Sequence, residues 1–143
     1  MNYNKLVHIS GKPGLFEIAN QRQDGLIVKS LLNKKSNFVS SRIHQFTLLD
    51  NISIYTDNDS EPLIEVFRKM LALKETDPVP EPKEDQTILR SYFEKILPDY
   101  DRDQVHISDM KKVVKWFSIL DEMGLAKIIE EKKISDNNKS EEE

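Results

Sequence analysis

The sequence predicts an α+β fold: a small SH3-like antiparallel β-barrel with a following helix, then a small all-α domain. Three observations carry that prediction. Residues 6–55 fall into short apolar runs rich in β-formers and spaced about ten residues apart, with turn residues between them. From residue 63 onward the apolar residues recur instead at three- and four-residue steps. Between the two regimes Pro78, Pro80 and Pro82 occupy every second position, which removes backbone donors and disfavours helix at the residues before them.

The strands are expected at Leu6–Ile9, Leu15–Ala19, Leu26–Leu32, Phe38–Val39, Phe46–Leu49 and Ile52–Tyr55. The first reversal is "ISGKPGLFEI", residues 9–18, where Pro13 fixes φ and Gly14 supplies the positive φ of a type II turn. Asp24-Gly25 signals a type I′ hairpin, which needs positive φ at both central residues. Asn33-Lys34-Lys35 and Asp50-Asn51 mark two more turns. In "SEPLIEVFRKMLALK" the residues Leu63, Val66, Phe67, Met70 and Leu71 share one helical face, with Asp59 or Ser60 as cap and Pro62 in the first turn. A second helix carries Ile88, Leu89, Tyr92, Phe93 and Ile96 behind an Asp85 cap. A third carries Met110, Val113, Val114, Phe117 and Leu120 behind a Ser108 cap, and Gly124 then breaks the chain before Leu125–Ile129. Helices this short persist only when packed, here around Trp116 and Phe93.

The domain reading is therefore 1–74 for barrel and helix, 75–85 for an extended, exposed linker, 86–131 for the helical domain and 132–143 for a disordered acidic tail. The net charge of −4 divides unevenly across this boundary: residues 1–74 hold 10 Lys+Arg against 7 Asp+Glu, and residues 75–143 hold 11 against 18. The chain has no cysteine, which excludes disulfides, thiolate zinc sites and a cysteine nucleophile. The N-terminus lacks the apolar core of a signal peptide, and no stretch approaches the roughly 20 apolar residues of a membrane helix. The expected location is cytoplasmic, away from membranes.

Two stretches imitate chemical motifs. Gly11-Lys12 resembles the end of a phosphate loop, but Leu6 stands where the first glycine belongs, Pro13 where the Mg²⁺-binding hydroxyl belongs, and a strand follows rather than a helix. Asp99, Asp101 and Asp103 alternate like the first ligands of a calcium loop between two helices. Gln104 then replaces the required glycine, and Met110 replaces the bidentate glutamate. His8, His44 and His106 show no metal spacing, and no serine sits in a nucleophile elbow. The reading is no enzyme, no catalytic residue, no cofactor and no metal, with a divalent cation at Asp99–Asp103 kept as a minor alternative.

Binding is the remaining class. The sequence predicts a non-enzymatic interaction or adaptor module with a protein partner, for which Trp116 and Tyr92 are candidate anchors. The alternative is RNA or a ribonucleoprotein held through Lys12, Arg22, Lys34, Lys35 and Arg42 in the basic loops of the barrel. Oligomeric state is not legible.

"ISGKPGLFEI", "DGLIVKSL" and "NISIYTDNDSEPLIEVFRKM", followed by "SYFEKILPDYDRDQVHISDMKKVVKWFSIL", resemble a Bacteroidota family of small two-domain proteins classed as a domain of unknown function. The resemblance covers roughly residues 3–130 and implies an SH3-like N-terminal barrel plus a helical C-terminal domain. It brings no functional residues with it.

Overall fold

The apolar runs of the N-terminal half form the strands of a computed structural model that describes residues 1–132. These are β1 (Leu6–Ile9), β2 (Phe16–Arg22), β3 (Gly25–Ser30), β4 (Ser36–Ser40), β5 (Phe46–Leu48), β6 (Ser53–Tyr55) and β7 (Ser60–Pro62). Three helices follow: α1 (Leu63–Leu73), α2 (Gln86–Ile96) and α3 (Ile107–Glu122), and residues 125–132 are again helical. Of the acidic tail expected over 132–143, all but Lys132 lies outside the described residues.

The first five strands make one antiparallel sheet in the order β4-β3-β2-β1-β5, and β6 pairs with β7 in a separate ribbon. The architecture is thus mixed α+β, but among the described residues no sheet closes into the expected barrel. Its two edges, β4 and β5, are joined by only five residues, 41–45. That connection opens with a tight turn in which the His44 N–H donates to the Ser40 carbonyl at 3.2 Å. A flat sheet of five strands would hold its edges about 19 Å apart, too far for so short a link. The sheet therefore curls, helped by a register shift between Ile18 and Asn20 in β2.

Three local expectations are corrected. Gly25 does not have a positive φ, and neither does Asp24, so their turn is not type I′. Glycine is required there because a Cβ would stand 2.2 Å from the Val39 carbonyl and 2.8 Å from the Phe38 ring. Residues 60–62 form β7 rather than a helix cap. The Leu63 N–H donates across the ribbon to the Ile52 carbonyl at 2.9 Å, and Pro62 precedes α1 without a capping side chain. For α3 the cap is His106, not Ser108. The Asp109 carboxylate accepts from the His106 N–H at 2.9 Å, where it also favours the helix dipole. The other helix signals hold: Asp85 accepts from the Thr87 N–H, and Gly124 ends α3 with a φ of 85°.

The sheet has two differently buried faces. Val7, Ile9, Phe16, Val28 and Val39 form a small cluster on the concave side. The opposite side contributes Leu6, Leu15 and Leu31 to a larger cluster with α1, α2, α3 and residues 125–129, including Phe67, Phe93 and Trp116. Each fully buried Leu or Phe of that kind stabilises by about 1.5–3 kcal/mol. The large cluster draws on both sides of the proline stretch, and Val79 packs against it, so residues 78–82 are not exposed throughout.

Candidate functional site

β5 is a three-residue edge strand, and its alternation decides what it offers. Phe46 and Leu48 turn their side chains towards the concave cluster, whereas Thr47 faces the opposite side beside His8. The Ser10 N–H donates to the Gln45 carbonyl, which fixes the phase of the ladder with β1. In an antiparallel pair the bonds then belong to Gln45 and Thr47, so the main-chain groups of Phe46 and Leu48 point away from β1. They point into the open seam of the sheet. A groove of about 550 Å³ lies there, floored by Val7, Ile18, Leu26, Phe46 and Leu48 and rimmed by Gln21, Arg22 and Gln23.

The five cations expected to contact nucleic acid are dispersed. Lys12 lies in the β1–β2 connection, and Lys34 and Lys35 lie in the β3–β4 connection at the same end of the sheet. Arg22 closes β2 at the opposite end, where the Ser41 N–H donates to the Asp24 carbonyl at 2.9 Å and Arg42 follows. Among the described residues none of the five enters an ion pair. Lys34 has a φ of 64° and its Nζ stands 3.0 Å from Met123 Sδ at the end of α3. The turn at Gly11-Lys12 is a strand reversal. The Lys12 N–H donates to the Ile9 carbonyl at 3.1 Å with Gly11 at a φ of 77°, so the turn centres on Ser10-Gly11, three residues earlier than the Pro13-Gly14 turn expected, although Gly14 also has positive φ.

The acidic loop is organised around its own backbone. Asp101 accepts from the N–H groups of Asp103 and Gln104 and from the Gln104 side chain, which together hold its carboxyl below the usual range. Among the described residues no group of acidic or histidine side chains is arranged to hold a metal. Trp116 and Tyr92, the candidate anchors, are both buried in the large cluster. The Tyr92 hydroxyl has no hydrogen-bond partner, and burial, aided by Asp77, pushes it up to about 12. His8 is half-buried between β1 and α3, and its imidazole is held below the usual range by burial and then by Lys112.

Sequence reasoning missed the seam. Phe46 and Leu48 fall in a strand that was expected, yet both are only partly buried. The legible signal was a short Phe-Thr-Leu alternation after a long turn. Phe38, on the strand at the sheet's other edge, is half exposed where its ring covers Gly25.

With this geometry in hand, comparison with known proteins places the chain. One domain of unknown function (DUF5606) matches residues 4–49, and a second (DUF6852) matches residues 52–120. A solution NMR structure of a protein from Bacteroides vulgatus is 34% identical. The match covers 81% of this chain and 83% of that one, with a TM-score of 0.64. The chain belongs to this two-domain Bacteroidota family. No curated protein matches it. The first family domain ends at residue 49, at the close of the five-stranded sheet, and α1 falls within the second. Divided there, residues 1–49 carry 7 Lys+Arg against 2 Asp+Glu, and residues 50–143 carry 14 against 23. No helix among the described residues is long and apolar enough to cross a membrane.

Proposed function

We propose that the protein is a non-enzymatic interaction module that docks an extended peptide segment of a partner protein along β5. The observation that carries this reading is the groove at the open seam, where an edge strand and an apolar floor meet. An added strand gains affinity from main-chain hydrogen bonds and specificity from alternate side chains. Here the main-chain groups are those of Phe46 and Leu48, and the floor accepts every second residue of the visitor. The strand order and the bulged β2 support the finer reading that the sheet is an SH3-like barrel left open at this seam. Arg22 is the one charge on the groove's lining and favours an acidic residue in the peptide.

Selection of random peptides displayed on phage against the full-length protein tests this. Enriched peptides are expected to alternate apolar and polar residues, to include an acid, and to lose binding to Leu48→Glu while its circular dichroism is unchanged. Peptides that bind L48E as well as the native chain would remove the reading.

A second reading, RNA binding by the N-terminal sheet, is favoured by the cationic excess of residues 1–49 and by the unpaired state of its five exposed or half-exposed cations. Affinity for single-stranded RNA would then fall steeply with salt and with Lys34→Glu/Lys35→Glu. Absence of binding at low salt rejects it.

A further inference from the structure

On the other side of β5 from the seam lies a separate cavity of about 270 Å³, between the sheet, β6 and α3. His8 and Thr47, paired across β1 and β5, form one wall, and Asp109, Lys112 and Trp116 form another. Positions 109, 112 and 116 share a face of α3 because three- and four-residue steps align side chains along a helix.

Four features of this cavity point to a ligand. The His8 Nδ1 is buried without a hydrogen-bond partner, a state that native buried polar groups rarely occupy. The His8 and Trp116 rings pack on each other at 5.4 Å with a 48° tilt, so together they present one continuous aromatic surface to the cavity. Lys112 is exposed and enters none of the ion pairs among the described residues. Asp109, the acid on the same wall, is committed to the His106 N–H at the start of α3. Burial, and then Lys112, favour the neutral imidazole of His8, which can hydrogen-bond without opposing a nearby cation.

We infer that this cavity binds a small aromatic carboxylate, its ring against Trp116 and His8 and its charge on Lys112. The His8 Nδ1 supplies a hydrogen bond to the carboxylate or to a neighbouring hydroxyl. At about 270 Å³ the cavity has room for a single-ring ligand of the size of benzoate, since a cavity of about 150 Å³ already holds benzene. This site lies across β5 from the peptide groove, and Thr47 lines both.

Trp116 is the chain's single tryptophan, so fluorescence excited selectively at tryptophan, beyond the absorption of the four tyrosines, comes from this cavity's wall. Titration of the full-length protein with sodium benzoate is expected to change that fluorescence saturably. Benzyl alcohol and benzamide, which lack the charge, should bind about tenfold more weakly, and Lys112→Gln should cost about the same factor. Leu48→Glu should leave benzoate binding unchanged, which separates this site from the seam. The amide shift of His8, which lines this cavity and not the groove, gives a second readout of occupancy. No saturable change in either signal overturns the inference. So does equal binding of benzoate to the native and K112Q proteins, or of the neutral compounds and benzoate.

Discussion

The concave cluster and the helical cluster are built from similar residues and differ in how far they are sealed. Five side chains form the first, and the apolar residues packed around them, Ile18, Leu26, Phe46 and Leu48, stay partly open to water. Twenty-six buried residues form the second, reaching from Tyr3 to Ile129 and drawing on every helix. A sealed cluster stores stability. An unsealed one leaves apolar surface and strand edge in reach of a partner, at the cost of holding its own sheet less tightly. The seam lies in the weaker body for that reason, and the large cluster makes it tolerable.

The sharpest way to break this comparison is to truncate one residue of each body. Leu63→Ala, in the large cluster, is expected to cost about 4–5 kcal/mol, whereas Ile9→Ala in the small one should cost about 2 kcal/mol. Urea denaturation of both variants checks it, and near-equal costs for matched truncations such as Val66→Ala and Val7→Ala would mean that the two bodies are equally sealed. Gly25→Ala comes next. Its Cβ would collide with the Val39 carbonyl, so β3 and β4 must separate at a cost of about 2 kcal/mol. Amide exchange should accelerate in β3 and β4 and remain slow in α2 and α3. An unchanged exchange pattern would show that the hairpin absorbs the methyl.

The smallest effect sharpens the comparison from within the sealed body. The folded state keeps the Tyr92 proton up to about pH 12, whereas the unfolded chain releases it near its ordinary 10. The folded pKa is raised, so this contribution is complete below pH 10 and is lost as the pH rises towards 12. Tyr3, raised by burial and by Asp50, acts in the same direction. Melting temperature followed from pH 9 to 12 should fall less steeply in Tyr92→Phe. At pH 7 the same variant should be more stable by about 1 kcal/mol, because it removes a buried hydroxyl that has no partner.

Much of this was legible beforehand. The period-two runs placed the first six strands to within two residues at most ends, and the helical stripes named the buried faces of α1, α2 and α3 except at Ile88, which opens α2 half exposed. Asp85 and Gly124 announced their roles because a cap and a left-handed stop act within one turn of themselves. Gly25 was recognised as necessary for the wrong reason, since its constraint comes from Val39, fourteen residues away. The dispersal of Lys12, Lys34, Lys35, Arg22 and Arg42 over two ends of one sheet follows from strand register, which charge counting does not see.

By itself the sequence determined the first six strands and the three helices, though not β7, because those choices rest on neighbours a few residues apart. It also determined that no metal-site spacing or nucleophile motif is present. Tertiary structure alone decided that the sheet curls yet stays open, that one core joins sheet and helices across the prolines, and that His8 meets Trp116. These outcomes depend on contacts between residues far apart in the chain, and local periodicity carries no record of which faces will meet.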